Sequence, residues 1–315
     1  MSIDLSVVIC THNRYDILDH AIASIEVQNF DHARYELIIV DNSTDLKRQE
    51  IFLSSVDIGC QSRVIVEAVP GLSRARNIGA RAAQGSIVAY MDDDARAPLD
   101  WVAEIVSTFG RHESAAAVGG PVVPIWPVPR PAWLHKWQEG LLTILDRGPT
   151  ERDLDPGEWL AGTNISFRRD RLIEAGLFEE RLGRIGKTLL SNEELMVTNK
   201  LRAGGYKIVY NPRIAMEHNV HLDRVSQKWI RQRIFWQVVS DMLADSACEQ
   251  TFDEAVENVL KFQAELEPKF RGYASLFVDV ESADVFARQL SAFEGFVRLL
   301  AVDARDWREY LNVQQ

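Results

Sequence analysis

Three consecutive aspartates, Asp92, Asp93 and Asp94, follow directly on the apolar run Ser86 to Met91. Carboxylates held that close repel one another unless a cation sits among them, and a hard divalent ion is the natural counter-charge. The plain alternative is an Asx turn or helix cap ahead of Pro98. A second acidic pair, Glu193 and Glu194, follows Ser191 and Asn192, where Ser191 as N-cap and acidic residues on the helix dipole are explanation enough by themselves. Glu217-His218-Asn219-Val220-His221 adds two imidazoles, either of which, when neutral, could complete a metal site. Asp41 ends another apolar run and offers an acceptor to a base imide N–H such as that of uracil, although Asp-Asn-Ser is also a good turn. Thr11, His12, Asn13 and Arg14 supply hydroxyl, imidazole, amide and guanidinium groups suited to a nucleotide's polar edges and phosphates. Arg74, Arg76 and Arg81 are either diphosphate contacts or solvated helix charges.

The elements that must position these groups read as strand, loop and helix in repetition. Leu5 to Cys10, Tyr35 to Val40 and Ser86 to Met91 are short, β-branched or aromatic apolar runs, and each ends in polar residues. Helical spacing fits Ile17 to Val27, Leu72 to Ala83 and Ser191 to Ala203, with Gly85 and Gly204-Gly205 as stops. Continuous apolar strands alternating with helices predict a mostly parallel, Rossmann-like α/β sheet, with ligands beyond the strand carboxyl ends. Five prolines from Pro121 to Pro131 and the charged stretch Asp146 to Glu158 read as an insertion and a candidate lid. Gly162-Thr163-Asn164 then leads into Ile165-Ser166-Phe167, and Lys207 to Tyr210 reads as a further strand. From Arg224 to Ser240 there are four basic and no acidic residues, and from Asp241 on fifteen acidic against seven basic. That change of texture divides the chain into a domain over 1–224 and a helical appendage over 225–315. Trp229 and Trp236, beside Ile230 and Phe235, read as core, while Lys228, Arg231 and Arg233 leave open a membrane-surface face.

The 315 residues, 46% hydrophobic and 26% charged, describe a globular chain and exclude disordered, collagen-like and disulfide-scaffold classes. A net charge of -11 disfavours a general nucleic-acid surface, which needs phosphate neutralisation. Cys10, Cys60 and Cys248 are scattered and show no C-x-x-C spacing, which fits a reduced, cytoplasmic protein. Neither a signal peptide nor a membrane span is legible.

Taken in order, SVVICTHNR, VDNSTD, GLSRARNIGARAAQGSIVAYMDDDA, GTNISFRRD and LLSNEELMVTNKLRAGGYKIVYNP, with EHNVH behind them, resemble a family 2 glycosyltransferase. The resemblance covers roughly Ile3 to Arg224 and implies the GT-A fold. It implies a nucleotide-sugar donor, with Thr11, Asn13 and Arg14 on the first nucleotide-binding loop, Asp41 reading the base, and Arg76 and Asn77 on the helix that approaches the nucleotide. Asp92, Asp93 and Asp94 match the D-x-D region, Asp92 near ribose or metal and Asp94 on a Mn2+ or Mg2+ ion, with His218, ahead of His221, helping the metal or the diphosphate. Where the family carries Glu-Asp at a helix start, this chain has Glu193-Glu194. Glu194 falls on the position of the catalytic base, with Glu193 as its competitor.

An inverting transfer needs a base for the acceptor hydroxyl and neutralisation of the leaving diphosphate. An unperturbed glutamate, with a pKa near ~4.3, is ionised at neutral pH and can serve as that base. Asn164 and Trp159 are candidates for acceptor or sugar contacts. The acceptor could be a saccharide, a lipid-linked intermediate or a peptide, UDP leads among the donors, and peripheral membrane contact and a homodimer stay open. The competing readings are a sugar nucleotidyltransferase, which lacks its glycine-rich loop here, a non-catalytic nucleotide-sugar-binding protein, and a dinucleotide oxidoreductase, which lacks G-x-G-x-x-G.

Overall fold

The computed structural model describes residues 3–56, 61–244, 252–265, 268 and 272–303; Cys60 and Cys248 lie outside them. The chain divides into two compact units, one built from residues 1–125, 143–187 and 193–219, the other from 126–142, 188–192 and 220–315.

In chain order the first unit runs β1 (Leu5–Thr11), α1 (Tyr15–Glu26), β2 (Tyr35–Asp41), α2 (Leu46–Ser55), β3 (Ser62–Val66), α3 (Leu72–Ala82), β4 (Ile87–Asp92), β5 (Ala95–Arg96), α4 (Trp101–Arg111), β6 (Ala115–Gly119) and β7 (Val122–Ile125). It resumes with β8 (Arg152–Asp153), β9 (Ile165–Arg168), α5 (Arg169–Glu174), α6 (Glu193–Ala203), β10 (Lys207–Tyr210) and β11 (Met216–Asn219). Eight strands form one sheet in the order β3-β2-β1-β4-β9-β6-β10-β8, and β5-β11-β7 form a second. Pairing is parallel from β3 to β4 and between β6 and β10, while β9 runs antiparallel to both β4 and β6.

Alternate residues of the central strands feed two cores, as the strand period of two requires. Val7, Ile9, Leu37, Ile39 and Met91 pack with α1 and α4, whereas Val8, Ile38, Val88 and Tyr90 pack with α3 and α6. Because both faces are covered, these strands read as unbroken apolar runs. The edge strand β3 is covered less: Ser62 to Ile65 are partly buried, Val66 is exposed, and its apolar run is only the three residues Val64 to Val66. Gly85 permits a close backbone passage, since a Cβ there would lie 2.7 Å from backbone atoms of Leu5 and Ser6.

The second unit holds a 3-10 helix at Lys136–Leu142 and the helices α7 (Gln227–Leu243), α8 (Phe252–Glu265) and α9 (Ala283–Asp303). Ile230, Ile234 and Val238 of α7 and Phe286, Leu290 and Val297 of α9 are buried. Trp229 is buried too, as its helical spacing predicts. Arg231, one of three basic residues that left a membrane-surface face open, is buried and bonded to Asp279 (3.0 Å), the Val278 carbonyl (2.8 Å) and Gln289 (2.9 Å). A buried guanidinium needs such partners, and this one is spent on them. The expected N-cap also differs: α6 starts at Glu193, and the Ser191 hydroxyl donates to Gln237 at 3.2 Å. Among the described residues no helix is long and apolar enough to cross a membrane.

Candidate active site

The carboxyl ends of β1, β2 and β4 deliver their polar residues to one place, because the three strands are parallel and in register from Leu5, Tyr35 and Ile87. Thr11, at the end of β1, donates to Asp93 at 2.8 Å. Arg14 spans the acidic run, with Nη1 2.9 Å from Asp93 and Nη2 2.8 Å from Asp94. Burial, reinforced by Asp94 and Asp92, outweighs Arg14 and pushes the Asp93 carboxyl up to about 7. The Cys10 thiol beside them is pushed up to about 12 by burial, which removes it as a nucleophile.

Asn13 adopts φ 57°, a left-handed conformation that asparagine tolerates better than most residues. Its amide oxygen accepts from the backbone N–H of Thr44 (3.1 Å) and Asp45 (2.9 Å), tying the loop after β1 to the loop after β2. Asp41 is fully buried, with Oδ2 accepting from Tyr15 (2.8 Å) and Gln49 (3.0 Å) and Oδ1 from the Ser43 N–H (3.1 Å). Asp41 thereby holds the loop after β2, with two donors on Oδ2 and one on Oδ1.

His218 reaches the cluster from β11. That strand pairs with β5, just beyond the aspartates, and the Asp94 carbonyl accepts from the backbone and side-chain nitrogens of Asn219 at 3.0 and 2.9 Å. The imidazole Nε2 lies 3.2 Å from Asp94 Oδ1. One ligand atom each from Asp92, Asp94 and His218 lies within 4.8 Å of the others. Two carboxylates and a neutral imidazole fit a divalent ion of the Mn2+ or Mg2+ kind, and the nitrogen donor favours the former.

Arg76 projects from α3 into the same region and is buried. Its Nη1 lies 2.7 Å from Glu194 and 3.0 Å from Glu193, and its Nη2 lies 3.5 Å from Asp92. The guanidinium also lies 5.6 Å from the Phe178 ring centroid and 6.0 Å from that of Tyr90. Burial works against its charge, but Glu194, Glu193 and Asp92 together raise its pKa. One guanidinium facing two carboxylates leaves the more enclosed one at a disadvantage. Burial, then the neighbouring Glu194, push the Glu193 carboxyl up to about 8. The Glu194 side chain, 17% exposed against 4% for Glu193, is the acidic group of α6 that an incoming molecule can reach.

Gly162 makes this arrangement possible: a Cβ there would lie 1.8 Å from Glu194 Oε1 and 2.4 Å from Arg76 Nη2. The Thr163 hydroxyl accepts from the Asp92 N–H at 3.2 Å. Neither role is marked in the sequence beyond the glycine itself. Asn77 spends its amide on Phe178, donating to the carbonyl and accepting from the N–H, both at 2.9 Å. It thereby holds the Phe178 ring beside Arg76. Asn164, considered a sugar contact, is buried, with Oδ1 accepting from Trp101 (2.9 Å) and Nδ2 donating to the carbonyls of Pro121 (3.0 Å) and Ile214 (2.7 Å). Its amide is consumed in joining β9 to its surroundings. Trp159 stays partly exposed.

The sequence model of glycosyl transferase family 2 matches residues 6–172. Glucosyl-dolichyl phosphate glucuronosyltransferase of Haloferax volcanii is 28% identical over 256 residues, which cover 79% of this chain and 80% of that protein. The solved mannosyltransferase PcManGT from Pyrobaculum calidifontis, in complex with GDP-Man and Mn2+, matches with a TM-score of 0.56 and 18% identity, over 100% of this chain and 79% of the other. GalNAc-T7 with UDP, GalNAc and Mn2+ matches with a TM-score of 0.53 and 17% identity, over 96% of this chain and 57% of that one. At these identities the structural matches speak to fold.

Proposed function

Because the chain belongs to glycosyl transferase family 2 and has the GT-A fold, we propose that it transfers a sugar, with inversion, from a nucleoside-diphosphate sugar to a hydroxyl of a lipid-linked glycoside. The chain is a glycosyltransferase, which sets aside the non-catalytic, nucleotidyl-transferring and oxidoreductase readings. In this reading residues 1–224 carry the chemistry and the helices after residue 225 are accessory. The lipid-linked acceptor follows the relative that uses a glucosyl-dolichyl phosphate. UDP is the first donor base to test. A lipid-linked acceptor would bring the protein to the periphery of a membrane.

The observation that carries the reading is Arg76 joining Asp92, of the metal-compatible cluster, to Glu194, the accessible carboxylate of α6. Glu194 takes the proton of the acceptor hydroxyl as the oxygen attacks the anomeric carbon, and Arg76 fixes the carboxylate for that transfer. Glu193 lies behind it as a positioning group. Arg14, whose side chain is 30% exposed, is placed beside the aspartates to meet a phosphate oxygen. Thr11 and Asn13 hold the loops that receive the nucleoside, and Asp41 supports them from below. A divalent ion on Asp92, Asp94 and His218 would supply neutralisation of the charge developing on the leaving diphosphate.

The test is release of nucleoside diphosphate from UDP-sugars and GDP-sugars in the presence of a lipid-linked glycoside, for the natural protein and for Glu194→Gln. The reading expects acceptor-dependent release that Glu194→Gln abolishes. Undiminished release by the variant would overturn the base assignment.

A further inference from the structure

The loop that leads to Gly162 carries a cation that the transfer as described does not use. Glu158 is taken by Arg152, whose two terminal nitrogens lie 2.6 and 2.7 Å from its oxygens, and this bidentate pairing holds the Glu158 carboxyl down to about 2. Arg147 reaches the same carboxylate only at 3.6 Å and the Trp159 carbonyl at 3.5 Å. Its Nε is buried without a hydrogen-bond partner. Yet the side chain is 24% exposed, and its guanidinium lies 5.9 Å from the centroid of the Trp159 ring. A partly exposed guanidinium over an indole, with its partners within the protein no nearer than 3.5 Å, retains capacity for a further anion.

Its position relative to the base follows from the chain path. The Glu158 carbonyl accepts from Arg202, in the last turn of α6, at 2.9 Å, while Gly162 abuts Glu194 in the first turn. Residues 158–162 therefore lie along α6, from its end towards its start. Trp159 is three residues from Gly162, and three extended residues span at most about 10 Å. The indole and the guanidinium beside it are within the reach of a short glycoside whose hydroxyl sits at Glu194. Trp159 packs against the core and stays partly exposed, so that an edge of an aromatic side chain lies beside the guanidinium.

We propose that Arg147, lying over the Trp159 ring, binds an anionic group of the acceptor, so that the site selects glycosides carrying a phosphodiester or a carboxylate over neutral ones. The proposal rests on the reading of Glu194 as the group that receives the acceptor hydroxyl. A planar guanidinium takes either anion through two parallel hydrogen bonds, which gives orientation as well as charge.

The test measures binding of three glycosides to the full chain in the presence of UDP and Mn2+: citronellyl phosphoglucose, octyl glucuronide and neutral octyl glucoside. At least one anionic glycoside should bind about tenfold or more tightly than the neutral one, the scale of one hydrogen bond to a charged group. Preference for the phosphodiester identifies a lipid phosphate as the anion, and preference for the glucuronide a uronate; either supports the proposal. Arg147→Gln should abolish the preference with UDP affinity unchanged, and Arg147→Lys should restore part of it. Equal binding of all three, binding of none, or an undiminished preference in Arg147→Gln overturns it. Loss of UDP binding in the natural protein would be a failure of the donor-site reading itself, a separate result.

Discussion

Arg76 Nη1 lies 2.7 Å from Glu194 Oε1, with the guanidinium side chain only 3% exposed. Since the same group touches Glu193 and Asp92, it links the start of α6 to the end of β4. Removing it leaves the buried Glu193 and the partly buried Glu194 and Asp92 without their counter-charge. Arg76→Met is expected to destabilise the protein by about 3–5 kcal/mol, the usual cost of stranding one partner of a buried ion pair. Urea unfolding measures this, and a midpoint equal to that of the natural protein would contradict the pairing.

The two glutamates should separate in kinetics. Glu194→Gln keeps shape but cannot accept a proton, and kcat should fall about 10²–10⁴-fold with donor affinity unchanged. Glu193→Gln should lose far less, because that carboxyl is enclosed and held towards its neutral form. Equal losses in the two variants would show that the pair acts as one unit.

Glu193 also makes a prediction about pH. Its carboxyl is pushed from an ordinary 4.5 up to about 8 in the folded chain. Between those values the unfolded chain has released this proton and the folded chain has not, so stability falls as pH rises through the window. Glu193→Gln removes that dependence. The urea midpoint of the variant minus that of the natural protein should therefore increase from pH 5.5 to pH 8.5. Asp93, raised to about 7, contributes to both proteins and drops out of the difference. A difference that stays constant with pH would contradict the enclosed, neutral Glu193.

Gly162 should be intolerant of the smallest side chain. The Cβ of Gly162→Ala would lie 1.8 Å from Glu194 Oε1, so the carboxylate or the loop must move. Misplacing a catalytic group by about 1 Å can cost about 10²-fold. Steady-state kinetics should show kcat reduced far more than donor KM is raised, and a variant with natural kcat would remove Gly162 from the account.

Much of this was legible in the residues. The apolar runs of β1, β2 and β4 announced buried strands, and the polar residues behind them marked the end of the sheet where the site forms. The edge strand β3 was hidden because its apolar run, Val64 to Val66, is only three residues long. The antiparallel β9 was hidden for another reason: Ile165–Arg168 has the same local pattern whichever way it runs, and direction is set by pairing with β4 and β6. At the site, residue type and position mark the aspartates and a histidine of Glu217 to His221, the family resemblance singles out His218, and Asp92, Asp94 and His218 lie together in the fold. Orientation was not readable. The partners of Asp41 and Asn164 within the protein, Tyr15 and Gln49 for the one and Trp101 for the other, are distant in sequence and come together only in the fold. Arg76, equally, looked like one of several helix arginines, and only the fold brings Glu193 and Glu194 to it.

The central claim is that the aspartates and His218 hold a divalent ion at which a nucleoside diphosphate binds. Calorimetric titration of UDP and of GDP, with and without Mn2+, into the natural protein and into Asp94→Ala tests it directly. The account predicts that one of the two nucleotides binds, that binding weakens at least about tenfold without Mn2+, and that Asp94→Ala erases the effect of the metal. Binding that is indifferent to Mn2+ and to Asp94, or no binding of either nucleotide to folded protein, would contradict it.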